Sequence, residues 1–221
     1  MSLIVKICGL TGPEDVVSAV EAGADAIGIN LWPGSKRFVG AAAEAVAAAV
    51  PPHVWRVGVF VNATADAIAA QVRALGLTHV QLHGDEVPED HASLAVPLLR
   101  ALRIRDRSSF DEAARWPNAL LLYDAFAAGY GGAGTVAPWD AIAAAAPAGR
   151  PFLLAGGLDA ENVAAAIEAT LPSGVDVASG VELGPGKKSA AKMRAFVAAA
   201  RVATRRHPPR SPWEPSAPFV G

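Results

Sequence analysis

The chain has a single cysteine, Cys8, so no internal disulfide can close and a reducing compartment, the cytoplasm, is the expected location. No uncharged apolar run reaches the ~18 residues that a membrane-spanning helix needs. The opening MSLIVKICGL has too short an apolar part and no small-residue cleavage site, so it reads as a first strand rather than a signal peptide. No Cys/His cluster and no H-E-x-x-H string occurs, which argues against a catalytic metal. His79 and His83 are no exception, because four residues of strand would hold them ~13 Å apart. Excess charge is missing too. The net charge of −2 includes no basic stripe of the kind nucleic acid requires, and the arginines near the end (Arg201, Arg205, Arg206, Arg210) read as a solvated tail.

What is present is a repeat. Eight β-branched or leucine-rich runs lie at 3–7, 25–30, 56–61, 78–82, 98–104, 119–124, 151–155 and 175–179, each followed by a helix-prone, alanine-rich stretch. Continuous apolar runs of this length suit strands buried on both faces, as in a parallel sheet. Helix starts carry cap chemistry: Thr11 before Pro13, Glu14 and Asp15; Asp159 before AENVAAAIEA; and Ser189 before AAKMRAFVAAARVA. Eight strand–loop–helix units in one chain of this length predict an α/β fold, a single (β/α)₈ TIM barrel over residues 1–203. A doubly wound sheet usually stops at five or six strands. Residues 204–221 hold five prolines without periodicity and read as a disordered tail. Their overlapping P-x-x-P spacings at Pro209, Pro212, Pro215 and Pro218 offer the alternative of docking an aromatic groove.

Barrel active sites are built where strands end at their C-terminal side, and the chemically useful residues fall there. Cys8 follows LIVKI, with Gly9 allowing an abrupt turn and Lys6 an unexpected charge within the strand. A lone cysteine is usually a small buried hydrophobe, but this position suggests a general base whose thiol is lowered by nearby cations. Asp124 ends ALLLYD and is the matching candidate acid, though a strand-terminating aspartate is the plain alternative. His83 follows HVQL, and Arg37 sits in the loop after the second run, where its planar fork suits a carboxylate. Gly156 and Gly157 after the seventh run, with Ser179 and Gly180 after the eighth, occupy the two loops where barrels commonly hold phosphate. Gly129, Gly131 and Gly134 spell G-x-G-x-x-G, but they lie beyond Asp124 rather than in a strand-to-helix turn, and residue 154 is leucine where an acid is needed. That segment reads as a lid or loop beside the mouth.

Seven strings in order, KICGLTGPED, GADAIGINLWPGSKRFV, VGVFVN, VQLHGDE, LLYDA with GGAGT, LAGGLDAENV and VDVASGVELGPGKK, resemble the phosphoribosylanthranilate isomerases of tryptophan biosynthesis, across about residues 3–200. The resemblance implies an aldose–ketose isomerase performing an Amadori rearrangement of N-(5-phosphoribosyl)anthranilate, with no cofactor. It makes Asp124 the general acid and Cys8 the general base. Arg37 would hold the anthranilate end, His83 would line the mouth, and Asp176 would contact the sugar or a neighbouring loop. Gly156, Gly157, Ser179 and Gly180 would hold the phosphate. The partner expected is a phosphorylated small molecule, with neither nucleic acid nor membrane, and barrels of this kind exist as monomers and as homodimers. Lys36, Thr135 and Ala178 depart from residues common in the family, which bears on the loop and phosphate contacts. The rivals are a histidine-pathway or bifunctional phosphoribosyl isomerase, whose usual base is an aspartate after the first strand, and a barrel that only binds a phosphorylated ligand.

Overall fold

The computed structural model describes residues 3–105, 107–125, 138–146 and 149–208. Eight strands close into one barrel in chain order: β1 (Ile4–Cys8), β2 (Ala26–Asn30), β3 (Trp55–Phe60), β4 (His79–Leu82), β5 (Leu98–Ile104), β6 (Leu120–Ala125), β7 (Phe152–Leu154) and β8 (Gly174–Val177). Neighbours pair in parallel, and β1 closes the ring on β8 with Lys6 opposite Asp176. Alternation divides the side chains into two layers. Ala26, Val57, Leu99, Ala101, Leu120, Leu122, Leu153 and Ala155 form the apolar filling of the barrel. The alternate residues, such as Val5, Ile7, Ile27, Leu121 and Val175, join the larger core beneath the helices.

The outer ring comprises α1 (Pro13–Glu21), α2 (Ala43–Ala48), α3 (Ala65–Leu75), α4 (Pro88–His91), α5 (Trp139–Ala145), α6 (Val163–Thr170) and α7 (Ala190–Arg206). In α7 the buried residues Met193, Phe196, Val197, Ala200 and Ala203 recur at helical spacing and face the barrel. Fully burying a side chain such as Phe196 contributes about 1.5–3 kcal/mol, so this stripe is what holds the last helix in place. Ser189 caps α7 by accepting from the Lys192 N–H.

Several expectations change. The cap of α1 is Gly12, without a side-chain bond; the Thr11 hydroxyl instead donates to the Gly186 carbonyl at 2.7 Å. Asp159 lies ahead of α6 and its carboxylate accepts from the Glu161 and Asn162 N–H groups, while Asn162 is the cap position. The regular strand–helix repeat lapses around β5: α4 is one turn, and Arg107–Arg115 winds as a 3₁₀ helix. α7 continues to Arg206, past the expected domain end at 203. Arg201 is not part of a solvated tail: its guanidinium bonds the Leu3 and Gly23 carbonyls and pairs with Asp25 at 2.6 Å. The proline-rich end beyond residue 208, the glycine segment at 129–134 and Thr135 lie outside the described residues.

After β8, a 3₁₀ turn (Ser179–Val181) leads into an antiparallel hairpin, β9 (Glu182–Gly184) and β10 (Lys187–Lys188). The Thr11 bond to Gly186 ties this hairpin to the loop after β1, on the side of the barrel where the candidate residues lie.

Candidate active site

Cys8 is the last residue of β1, rather than the first after it, and it shares the inner face with Lys6. Its register partner on β2 is Gly28, and a Cβ placed there would lie 2.5 Å from the Cys8 sulfur. The missing side chain is therefore what makes room for the thiol. Lys6 is completely buried and donates to Asp176 Oδ1 at 2.8 Å. Burial alone would discharge Lys6, but Asp176 and Cys8 together hold its ammonium above the usual lysine value. For Cys8, burial pushes the thiol up, Asp176 adds to the rise, and Lys6 and Lys188 pull it part of the way back. The cations are present as expected, but they do not bring the thiol below its ordinary value. Desolvation outweighs them.

Arg37, in the loop after β2, lies against Gly9, where a Cβ would come within 2.5 Å of its Cδ. Its Nε and Nη2 bond the two oxygens of Glu182 at 2.7 and 2.8 Å, leaving Nη1 outside the fork. Glu182 also accepts from Lys188 Nζ at 2.8 Å, and Lys188 donates a second bond to the Ala178 carbonyl. Burial pushes the Glu182 carboxyl up, but the bonds from Arg37 and Lys188 outweigh it and keep the group ionised. Nothing in the local sequence pattern singled out Glu182, Lys188 or Gly28. The hairpin string GVELGPGKK was the signal, without its pairing.

On the far side, Asp124 is the penultimate residue of β6, which is three strands from β1 around the ring. His83 continues the β4 ladder through its N–H to the Phe60 carbonyl, and its Nε2 stands 3.5 Å from Asp124 Oδ2. Gln81 Nε2 donates to His83 Nδ1 at 3.0 Å, which leaves Nε2 to carry the proton that faces the carboxylate. Glu86 holds this corner: it accepts from the Asn62 and Gly84 N–H groups and pairs with Arg100 at 2.7 Å.

Gly156 and Gly157 have φ of +88° and +64°, successive left-handed residues that tolerate no ordinary side chain without strain. Asn162 Nδ2 donates to the Gly157 carbonyl at 2.8 Å and fixes that loop. Gly180 packs so closely on it that a Cβ would meet the Leu158 carbonyl oxygen at 1.9 Å. The loops after β7 and β8 are thus one joined surface, with Ser179 and Gly180 in the turn beside it. Among the described residues no group of three or more potential metal ligands lies together, and no helix is long and apolar enough to cross a membrane.

The structure therefore gathers Cys8, Asp176 and Arg37 into one charged cluster, His83 and Asp124 into a second, and the two glycine loops into a third. All three stand at C-terminal strand ends of one barrel. The sequence matches the family PRAI, N-(5'phosphoribosyl)anthranilate (PRA) isomerase, over residues 5–199. It is 48% identical to the N-(5'-phosphoribosyl)anthranilate isomerase of Myxococcus xanthus over 91% of this chain and 97% of that one. With the enzyme of Magnetococcus marinus it is 44% identical over 92% and 97%. The crystal structure of phosphoribosyl anthranilate isomerase from Thermotoga maritima superposes with a TM-score of 0.85 at 36% identity, covering 90% of this chain and 99% of that one. A crystal structure of phosphoribosyl anthranilate isomerase in complex with reduced 1-(o-carboxyphenylamino)-1-deoxyribulose 5-phosphate superposes at 0.82 with 35% identity, covering 90% and 99%. The chain belongs to the N-(5'-phosphoribosyl)anthranilate isomerase family.

Proposed function

We propose that this chain converts N-(5-phosphoribosyl)anthranilate to 1-(2-carboxyphenylamino)-1-deoxyribulose 5-phosphate in tryptophan biosynthesis, with Asp124 as general acid and Cys8 as general base. The observation that carries the assignment is the arrival of both side chains at the C-terminal rim of one closed ring, from β6 and β1, in a chain of this family. The Asp124 carboxyl group gives its proton to the ribose ring oxygen as the C1′–O bond breaks, and the anthranilate nitrogen supplies the electron pair for the C1′=N bond. The Cys8 thiolate then takes the C2′ proton, and those electrons form the C1′=C2′ bond of an enolamine. Loss of the C2′ hydroxyl proton and protonation of C1′ give the ketone. His83 Nε2, 3.5 Å from the Asp124 carboxylate, turns its ring N–H towards the acid and lines the mouth beside it.

Binding and chemistry are divided between clusters. The joined loops after β7 and β8, with Gly156, Gly157, Ser179 and Gly180, form the phosphate cradle, supported by their left-handed backbone and close packing. Binding energy from that non-reacting phosphate holds C1′ and C2′ between acid and base. Arg37 takes the anthranilate carboxylate. Asp176, already bonded to Lys6, reaches the site from the barrel interior beside Cys8. No step requires a cofactor, because only protons and bonding electrons within the substrate move.

A fluorescence assay with phosphoribosylanthranilate, run beside the histidine-pathway aminoaldose, tests this reading. Turnover of the first and not the second is expected. Preference for the second would assign the chain to the other rearrangement, and binding without turnover of either would make it a ligand-binding barrel.

A further inference from the structure

Lys6 has no step in the chemistry above, yet it is a fully buried ammonium inside a barrel whose apolar filling is mostly alanine, valine and leucine. A buried charge is costly unless it is paired, and a pair of apolar residues would fill the same volume without the cost. Its position is specific. Lys6 and Cys8 point the same way from β1, two residues apart, and Lys6 is in register with Asp176 on β8 and Ala26 on β2. The ammonium is anchored by the 2.8 Å bond to Asp176, and its charge favours the ionised form of the Cys8 sulfur two residues along the same face. The other groups that bear on that sulfur are Asp176, Lys188 from β10 and Arg37 from the loop after β2, while Gly28 on β2 offers none. Lys188 and Arg37 are both bonded to Glu182, which offsets their charge.

We propose that Lys6 is a positioning residue for the proton transfer: its ammonium, clamped by Asp176, supplies the positive charge against which the Cys8 sulfur ionises. This rests on the assignment of Cys8 as the base. Because Cys8 is the sole cysteine, its ionisation can be read apart from catalysis, by ultraviolet thiolate absorbance against pH with Cys8→Ser as the blank. Lys6→Met should move the thiol titration up by about one unit or more, and the ascending limb of kcat/KM should move with it. A lysine that merely stabilised the fold would lower the denaturant midpoint in Lys6→Met and leave the thiol titration where it was, which would overturn the proposal. If Lys6→Met does not fold, Lys6→Gln decides: an upward shift of the thiol titration supports the role, and an unmoved or downward one refutes it. Wild-type turnover in Cys8→Ser would instead sink the base assignment, and the titrations would still report on Lys6.

Discussion

Gly28 shows how one absent methyl group shapes this site. With the Cys8 sulfur 2.5 Å from where a Cβ would stand, and the Cys8 Cα at 3.0 Å, Gly28→Ala must turn the thiol or part the strands. Because the neighbouring atoms belong to the proposed base and its backbone, the cost should fall on turnover. We expect Gly28→Ala to lower kcat at least about tenfold with a smaller change in KM, since misplacement of a reacting atom by ~1 Å can cost far more. Steady-state kinetics on the purified variant check it; unchanged kcat would mean that the sulfur has another place to go. His79 is a second residue-scale test. It lies in the barrel interior, stacked on Trp55 with ring centroids 4.2 Å apart, and burial pushes it down to about 4. A base held below its unfolded value of ~6.5 favours the folded state fully above that value and loses its contribution as pH falls toward 4. The denaturant midpoint should therefore drop between about pH 6.5 and 4, with up to about 3 kcal/mol attributable to this residue. His79→Gln should flatten that part of the profile, and a variant that keeps the full wild-type slope would contradict it.

At the scale of elements, the β9–β10 hairpin acts as a brace. Its Glu182 fixes Arg37 by two bonds, its Lys188 fixes Glu182, and Thr11 fixes the hairpin turn. If Arg37 holds the anthranilate carboxylate, Arg37→Ala should raise KM strongly. Glu182→Gln keeps the shape but breaks the charged fork, so it should raise KM by a smaller factor at nearly constant kcat. Equal effects on kcat in both would show that Arg37 belongs to the chemistry and not to binding. The hairpin also marks the limit of what the sequence discloses. Strands were legible because runs such as LLRALRI are leucine- and isoleucine-rich despite two arginines, and β5 begins and ends where that run does. The loop after β4 and the segment after β5 were not, because PEDH is too short and RSSFDEAAR too polar to settle as full α-helices. Arg37 and Glu182 are 145 residues apart, and no local periodicity records such a pairing.

For the molecule as a whole, the ring closure does the organising. The positions of Cys8, Asp124, His83 and the loop residues Gly156, Gly157, Ser179 and Gly180 at one end of the barrel could be read from their places after apolar runs because parallel strands all end on one side. What could not be read was the balance of energies inside the ring. The cations around Cys8 were anticipated, whereas the dominance of burial over them depends on how completely the barrel excludes water. The same packing makes the far corner dependent on a buried ion pair. Glu86→Ala leaves Arg100 with only the longer 3.9 Å contact to Glu112 and leaves two backbone N–H groups without an acceptor, so a loss of about 3 kcal/mol in unfolding free energy is expected. Urea denaturation measures it, and a loss under about 1 kcal/mol would show that water replaces the carboxylate.

In the proposed mechanism one thiol and one carboxyl group at a common rim move the protons of a phosphoribosyl aminoaldose. Single-turnover fluorescence decay of phosphoribosylanthranilate with wild type, Cys8→Ser and Asp124→Asn measures it directly. Each substitution is expected to slow the decay by a factor of about 10² to 10⁴ while substrate still binds. A rate within a few-fold of wild type in either variant would contradict it.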